Sequence, residues 1–175
     1  MTAPNPVRAL FDAGQSVWLD YIRRDLLTTG ELQKMIEDGR ISGLTSNPTI
    51  FEKAIAGARD YDAQLTELAR QGKSAQEIFD AIAIADIQGA CDRLKPVYDR
   101  TQGQDGFASI EVSPLLARDT DGTATAARHL HDLIDQPNLY VKIPGTAEGL
   151  PAIQAMISEG NSVNVTLLLD RKSVV

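Results

Sequence analysis

Short apolar segments, rich in β-branched and aromatic residues, recur along the chain, and turn residues separate them from longer amphipathic segments. Such short segments are typical of buried strands. The strand that begins at Ile41 is expected to end near Asn47, because the residue before a proline avoids the helical region. The pattern predicts strands over residues 16–21, 41–46, 107–112, 139–143 and 162–168.

The segments between these strands carry apolar residues at the spacing of amphipathic helices. Ser74 and Glu77 form a capping-box pattern that opens the longest helix, and Pro96 is expected to kink or end it. Thr146 is the expected cap of the last helix. Strands that alternate with helices predict βαβ units and a parallel sheet. The predicted helices cover residues 29–38, 49–56, 60–70, 75–98, 123–134 and 147–158.

Most of the predicted strands share one pattern, in which an aliphatic face opposes a face that carries polar groups. On the fourth strand, Leu139, Val141 and Ile143 share one face, whereas Tyr140 and Lys142 share the other. Corresponding polar positions on other strands are Asp20, Ser109, Glu111, Asn164 and Thr166.

This pattern distinguishes two α/β architectures. A doubly wound sheet has helices on both faces, so both faces should be apolar. An α/β barrel has helices on one side only, and its chemistry lies at the C-terminal ends of the strands. The polar faces therefore favour the barrel over the doubly wound sheet. The structural alternatives are a sheet side that faces water and a polar core whose hydrogen bonds are satisfied. The residues expected at those strand ends are Asp20, Asn47, Glu111, Lys142, Asn164 and Thr166.

Lys142 is the most informative of these residues, because it lies inside a short apolar run that stops at Pro144. Buried ammonium groups are rare without a specific reason. A desolvated lysine loses its proton more easily and becomes an amine nucleophile for carbonyl carbons. The alternative is an edge-strand lysine whose ammonium group reaches water and discourages aggregation.

The polar residue types fit one reaction. A lysine amine can condense with a ketone to a Schiff base, which is an electron sink for cleaving the neighbouring carbon–carbon bond. Asp20 is the candidate base for the hydroxyl proton, and Glu111 is the candidate acid and base near the imine, through a water held by Thr166. Asn47 and Asn164 could hydrogen-bond substrate hydroxyls. Two structural alternatives stay open: Asn47 as a turn residue before proline, and Thr166 as a simple β-former.

The composition argues against several classes of binding partner. The net charge of -7 and the pI of about 4.8 make nucleic acid and anionic membranes poor candidates.

A single cysteine, Cys91, excludes an intramolecular disulfide framework and suits a reducing cytoplasm, and the N-terminus has no signal-peptide pattern. His129 and His131 are two residues apart on a predicted helix, which does not suit a metal site, and no metal or cofactor is expected.

Four segments, in order, resemble the transaldolase family. They are GLTSNPTIF over 43–51, SIEV over 109–112, LYVKIP over 139–144 and NVTLL over 164–168, and SVWLD over 16–20 is similar to the longer bacterial form. The resemblance implies a (β/α)8 barrel that moves a dihydroxyacetone unit between sugar phosphates in the non-oxidative pentose phosphate pathway, without metal or organic cofactor.

The same resemblance implies residue roles. Lys142 would form the Schiff base and Asp20 would be the base for aldol cleavage. Glu111 and Thr166 would manage the catalytic water. The dihydroxyacetone unit would be bound by Asn47 and Asn164.

The chain departs from the family at its C-terminal end. A full barrel typically needs about 250 residues, whereas this chain has 175 and shows about five βα units. Arg171 and Ser173 do not match the motif that supplies the family's phosphate-binding residues. We expect a single domain over 1–175, the N-terminal part of a barrel, with open sheet edges and weak or no activity alone. The alternatives are another Schiff-base aldolase, such as a fructose-6-phosphate aldolase, and a non-catalytic half-barrel that pairs with itself or with a C-terminal half.

Overall fold

A computed structural model describes residues 6–168 of the chain. Its strands form one sheet in the order β1-β2-β3-β4-β5, and all neighbouring pairs are parallel. The predicted parallel α/β arrangement is therefore confirmed. The strands are β1 (Trp18–Leu19), β2 (Gly43–Thr45), β3 (Ala108–Glu111), β4 (Leu139–Pro144) and β5 (Val163–Thr166).

The helices fall between the strands, as the periodicity predicted, but two elements near the N-terminus were not predicted. These are α1 and α2, which flank β1. A short 3-10 turn, Pro114–Leu116, follows β3. The helices are α1 (Pro6–Asp12), α2 (Arg24–Thr28), α3 (Glu31–Glu37), α4 (Pro48–Ala56), α5 (Asp62–Arg70), α6 (Ala75–Arg100), α7 (Thr120–Ile134) and α8 (Gly149–Ser158).

Helix α6 begins as predicted and ends later than predicted. Ser74 and Glu77 form the complete capping box at its start. Pro96 does not end the helix, which continues to Arg100. Proline removes one backbone donor from the helix, but Leu94 and Val97 on either side are buried in the core. Their burial stabilises the helical path through Pro96.

The first and last strands are shorter than predicted. β1 pairs with β2 only at Trp18 and Leu19, after which the chain turns away to begin α2 at Arg24. β5 ends at Thr166, because the next residue, Leu167, adopts a left-handed conformation with φ of 64° that breaks the extended run.

The aliphatic face of the sheet lies in the core. Leu44, Ala108 and Val141 are fully buried, and they belong to one cluster with apolar residues of α6, α7 and α8. Cys91 on α6 is also fully buried, where a free cysteine behaves as a small apolar core residue. The helices thus cover the aliphatic face, which leaves the polar face on the opposite side of the sheet.

A concavity of about 400 Å³ lies on the polar face. Its lining includes Trp18 from β1, Tyr140 from β4 and Asn164 from β5. The two outermost strands of the sheet therefore both line this concavity, which shows that the sheet is curved. A curved parallel sheet with helices on the outside and polar groups on the inside is the arrangement expected for part of an α/β barrel.

The outer strands of the described sheet, β1 and β5, each pair with one neighbour only. Their outer backbone donors and acceptors are available to another strand, so we expect the 175-residue chain to self-associate at micromolar concentration. Sedimentation velocity over a concentration series measures this directly. A monodisperse monomer that unfolds cooperatively on heating would contradict the expectation.

Candidate active site

Lys142 and Glu111 form an ion pair on the polar face of the sheet. They are directly opposite each other in the β3–β4 register, and Lys142 Nζ lies 3.2 Å from Glu111 Oε2. The two side chains are 15% and 17% exposed, so water reaches them only in part. The sequence predicted both residues on this face, and the structure brings them together.

The surroundings of Lys142 exclude one of its two interpretations. β4 is an interior strand between β3 and β5, so the alternative of an edge-strand lysine is wrong. The neighbouring residues Val141 and Ile143 are fully buried on the opposite face. Lys142 is therefore held on an inner strand whose other side is packed in the core, which limits the motion of its backbone.

The pair has a clear chemical capability. A lysine must lose a proton before its amine can attack a carbonyl carbon, and water must leave before an imine forms. A carboxylate 3.2 Å from the amine is within reach for both proton transfers. The geometry of Glu111 and Lys142 therefore suits imine formation.

Asn164 and Thr166 extend this face along β5. Asn164 is opposite Lys142 in the β4–β5 register, and Thr166 is opposite Pro144, closer to the C-terminal end of the sheet. Asn164 also lines the concavity. Within the described residues, the Thr166 hydroxyl makes no hydrogen bond to Glu111, so the water-holding role of Thr166 stays a prediction.

Asn47 has a structural role that sequence analysis left open. It is the N-cap of α4, where its Oδ1 accepts hydrogen bonds from the backbone of Thr49 at 3.0 Å and Ile50 at 3.3 Å. Asn47 follows β2 by two residues, and Thr45 of β2 is opposite Ser109. Extending this register by two residues along both chains aligns Asn47 with Glu111. Oδ1 is committed to the helix, which leaves the amide nitrogen for any contact with substrate.

Removal of this cap should be measurable. Replacing Asn47 by alanine leaves two backbone donors of α4 without their acceptor, and we expect unfolding free energy to fall by about 1 kcal/mol. Urea denaturation measures the change. The Asn47→Asp variant keeps an acceptor oxygen and should retain most of the stability. Equal stability of the alanine variant and the parent chain would show that the cap is dispensable.

Within the described residues, Asp20 makes no hydrogen bond or ion pair with Lys142 or Glu111. It is exposed, and it lies in the connection between β1 and α2, just beyond the short β1 strand. Two strands, β2 and β3, lie between β1 and β4. The structure gives Asp20 no hydrogen bond or ion pair among residues 6–168, so its role as a base stays a prediction.

Next to the pair, the polar face also carries a buried hydrogen bond and a stack of aromatic rings. Ser109 is fully buried, and its hydroxyl donates a hydrogen bond of 2.8 Å to Thr45 Oγ1. Tyr140 stacks on Phe107 at 4.1 Å and on Trp18 at 6.0 Å between ring centroids, and burial raises the pKa of its hydroxyl. The alternation of faces predicted Ser109 and Tyr140 on this face, whereas their hydrogen bond and ring stacking could not be predicted from the sequence.

Within residues 6–168, no group of three or more His, Cys, Asp or Glu side chains is arranged to hold a metal ion. No helix in the same range has the length and apolar character needed to cross a membrane.

Fold and site together define the class: this chain forms part of an α/β barrel whose inner face carries a lysine–glutamate pair. The family model described as transaldolase/fructose-6-phosphate aldolase matches residues 17–175, and the chain belongs to this family. The match and the parallel sheet identify the five βα units as an incomplete TIM barrel.

Curated relatives extend the comparison. The chain is 52% identical to a transaldolase of Thermobifida fusca over 94% of its own length and 45% of the relative's length. It is 48% identical to transaldolase 2 of Nostoc punctiforme over 93% of its length and 42% of the relative's length. The chain therefore spans less than half the length of these relatives. Arg171 and Ser173 lie outside the described residues.

Proposed function

We propose that this chain is the N-terminal portion of a transaldolase, which transfers a dihydroxyacetone unit from a ketose phosphate to an aldose phosphate. The observation that carries the proposal is the 3.2 Å contact between Lys142 and Glu111, with Asn164 opposite Lys142 on the next strand. The names of the relatives support it. The reaction belongs to the non-oxidative pentose phosphate pathway in the cytoplasm, with residues 1–175 as a single domain.

The first half of the reaction forms an imine. Glu111 takes a proton from the Lys142 ammonium, and the neutral amine attacks the ketone carbon to form a carbinolamine. Glu111 gives a proton to the departing hydroxyl, water leaves and a protonated imine remains. Thr166 holds the water that enters and leaves, and the reaction needs no metal or organic cofactor.

The second half breaks and remakes a carbon–carbon bond. Asp20 takes the proton from the hydroxyl next to the bond that breaks, and the bonding electrons move into the imine to give an enamine while an aldehyde phosphate leaves. The enamine then attacks a second aldehyde phosphate, and hydrolysis of the new imine frees Lys142. Asn47, through its amide nitrogen, and Asn164 hold the hydroxyls of the dihydroxyacetone unit.

The test is transfer from fructose 6-phosphate to erythrose 4-phosphate. The chain alone should turn over weakly or not at all. Mixing it with a separately expressed C-terminal half of the Thermobifida fusca relative should produce transfer that depends on both parts. Robust transfer by the chain alone would contradict the expected dependence on the second part. No transfer by the mixture, together with demonstrated binding of the two parts, would contradict the proposed function.

The family description also includes fructose-6-phosphate aldolase, which gives a second candidate reaction. That reaction uses the same imine but releases the dihydroxyacetone unit to water instead of transferring it. Release of glyceraldehyde 3-phosphate in stoichiometric excess over the enzyme, without any acceptor, would favour this second candidate. If the mixture of the chain with the C-terminal half catalyses neither reaction, the chain is a non-catalytic half-barrel.

A further inference from the structure

A buried carboxylate lies away from the Lys142–Glu111 pair, in the middle of α6. Asp86 is 1% exposed. Its Oδ1 accepts a hydrogen bond of 2.7 Å from Arg24 Nε, and its Oδ2 accepts one of 2.8 Å from the Tyr61 hydroxyl. Arg24 Nη2 lies 2.7 Å from the same Oδ1 as an electrostatic contact. Such partners are what a buried charge requires, because an unpaired one is costly.

Tyr61 and Arg24 are bound to each other as well. The Tyr61 side chain is fully buried, and its oxygen accepts a hydrogen bond of 2.8 Å from the backbone nitrogen of Arg24. The Arg24 guanidinium lies over the Tyr61 ring at 4.9 Å and donates to Gln64 Oε1 at 2.7 Å. The cluster of Arg24, Tyr61 and Asp86 thus joins the start of α2 to α5 and α6.

Burial and hydrogen bonding shift the pKa of Asp86 in opposite directions. Burial raises the pKa of Asp86 above its ordinary value, while the hydrogen bonds from Arg24 and Tyr61 oppose that rise. Burial and the nearby Asp86 charge also raise the pKa of the Tyr61 hydroxyl. Tyr61 therefore keeps its proton and remains a donor to Asp86. Each of the three residues is therefore in direct contact with the other two.

The cluster holds the segment that carries Asp20. Leu19, immediately before Asp20, is paired in β1. Ile22, two residues after Asp20, is 1% exposed in the core, and Arg24 then enters the cluster. Asp20 thus lies between fixed points on both sides, although its own side chain is exposed and makes no hydrogen bond or ion pair within residues 6–168.

A buried ion pair is a weak source of stability, because well-packed apolar residues of similar volume often stabilise a fold as much or more. The cluster does offer a defined geometry, since its bonds are directional and link three separate elements. An exposed aspartate whose side chain makes no hydrogen bond or ion pair can hold one position only through its backbone. The cluster supplies that constraint at the exit from β1.

We propose that Arg24, Tyr61 and Asp86 are positioning residues that fix the backbone of residues 20–24 and thereby place Asp20 for carbon–carbon cleavage. This inference rests on the proposed function, in which Asp20 takes the hydroxyl proton. The inference makes different predictions for imine formation and for carbon–carbon cleavage. Imine formation at Lys142 does not require Asp20, whereas breaking the bond does.

The two steps leave different products on Lys142 when borohydride reduces the imine to a secondary amine. An imine of intact fructose 6-phosphate gives an adduct that contains the whole sugar phosphate. After cleavage, glyceraldehyde 3-phosphate has left and the enamine has taken up a proton, so reduction gives an adduct with only the dihydroxyacetone unit. Intact-protein mass spectrometry distinguishes the two adducts.

The experiment uses Asp86→Asn and Tyr61→Phe in the 175-residue chain, with fructose 6-phosphate and borohydride. We expect total adduct within about twofold of the parent chain and a shift of about tenfold towards the intact sugar phosphate. Amide hydrogen exchange in residues 20–24 should be about tenfold faster, while exchange in β4 is unchanged. The matched control is Glu159→Gln, which breaks the exposed Arg128–Glu159 ion pair between α7 and α8 and should change neither readout.

Unchanged exchange in residues 20–24 of both variants would overturn the proposal. An unchanged adduct ratio with faster exchange would overturn it as well, because the segment would then move without affecting cleavage. Parallel loss of both adducts in a variant that shows faster exchange throughout the chain would indicate general destabilisation, and the milder Tyr61→Phe variant then decides. Partial recovery of the parent ratio by Asp86→Glu, which restores a carboxylate, would support the proposal.

Failure of the proposed function gives a different result. If the parent chain forms neither adduct, the imine mechanism is wrong for this chain. Hydrogen exchange still decides whether the cluster fixes residues 20–24. Its outcome does not depend on any reaction.

Discussion

Replacing Lys142 by methionine should abolish the borohydride-stable adduct with fructose 6-phosphate while leaving the chain folded. Methionine is close to lysine in length and has no amine, so no imine can form. The variant also leaves the carboxylate of Glu111, which is only 17% exposed, without its cationic partner, so we expect some loss of stability. Intact-protein mass spectrometry measures the adduct, and circular dichroism checks the fold.

Lys95→Met is the matched control for this prediction. Lys95 lies on the exposed side of α6, where its ammonium group pairs with Asp99 at 2.6 Å. Both variants lose one ion-paired lysine, but only one of these lysines lies on the polar face of the sheet. Adduct formation should be unchanged in the Lys95 variant. A Lys142→Met chain that still forms the parent's amount of adduct would remove Lys142 from the mechanism.

Replacing Glu111 by glutamine should slow adduct formation by about 100-fold, because an amide of the same shape can neither accept nor supply the protons that imine formation requires. The final amount of adduct should approach that of the parent chain, since the Lys142 amine remains. A time course of borohydride trapping, followed by mass spectrometry, gives the rate.

Glu159→Gln again provides the matched control, because Glu159 is also paired with a cation, Arg128, but lies on the outer helices. Its adduct should form at the parent rate. A rate for the Glu111 variant within twofold of the parent would contradict the role of Glu111 as proton acceptor and donor. Faster adduct formation in that variant would show instead that the ion pair with Glu111 restrains the lysine.

The central part of the site could be predicted because it depends on local rules. Alternation along a strand placed Lys142 and Glu111 on the polar sides of their strands. Neighbouring parallel strands then align such positions, and β3 and β4 bring the two side chains to 3.2 Å. Asn164 follows by the same rule on β5.

Other features could not be predicted, because they depend on contacts between distant parts of the chain. The length of β1 is set by where its pairing with β2 ends, and continuation of α6 through Pro96 depends on core packing around Leu94. The contact between Arg24 and Asp86 joins residues that are 62 positions apart. One signal was available, since Asp86 follows buried Ile82 by one helical turn and therefore lies on the apolar face of α6.

The central claim is that Lys142 is the amine that forms the imine. The most direct measurement is peptide mapping of the chain after treatment with fructose 6-phosphate and borohydride, because the chain offers several competing amines. The account predicts that the adduct lies on the peptide containing Lys142. An adduct distributed over the other lysines, or confined to one of them, would contradict the account; these lysines are Lys34, Lys53, Lys73, Lys95 and Lys172.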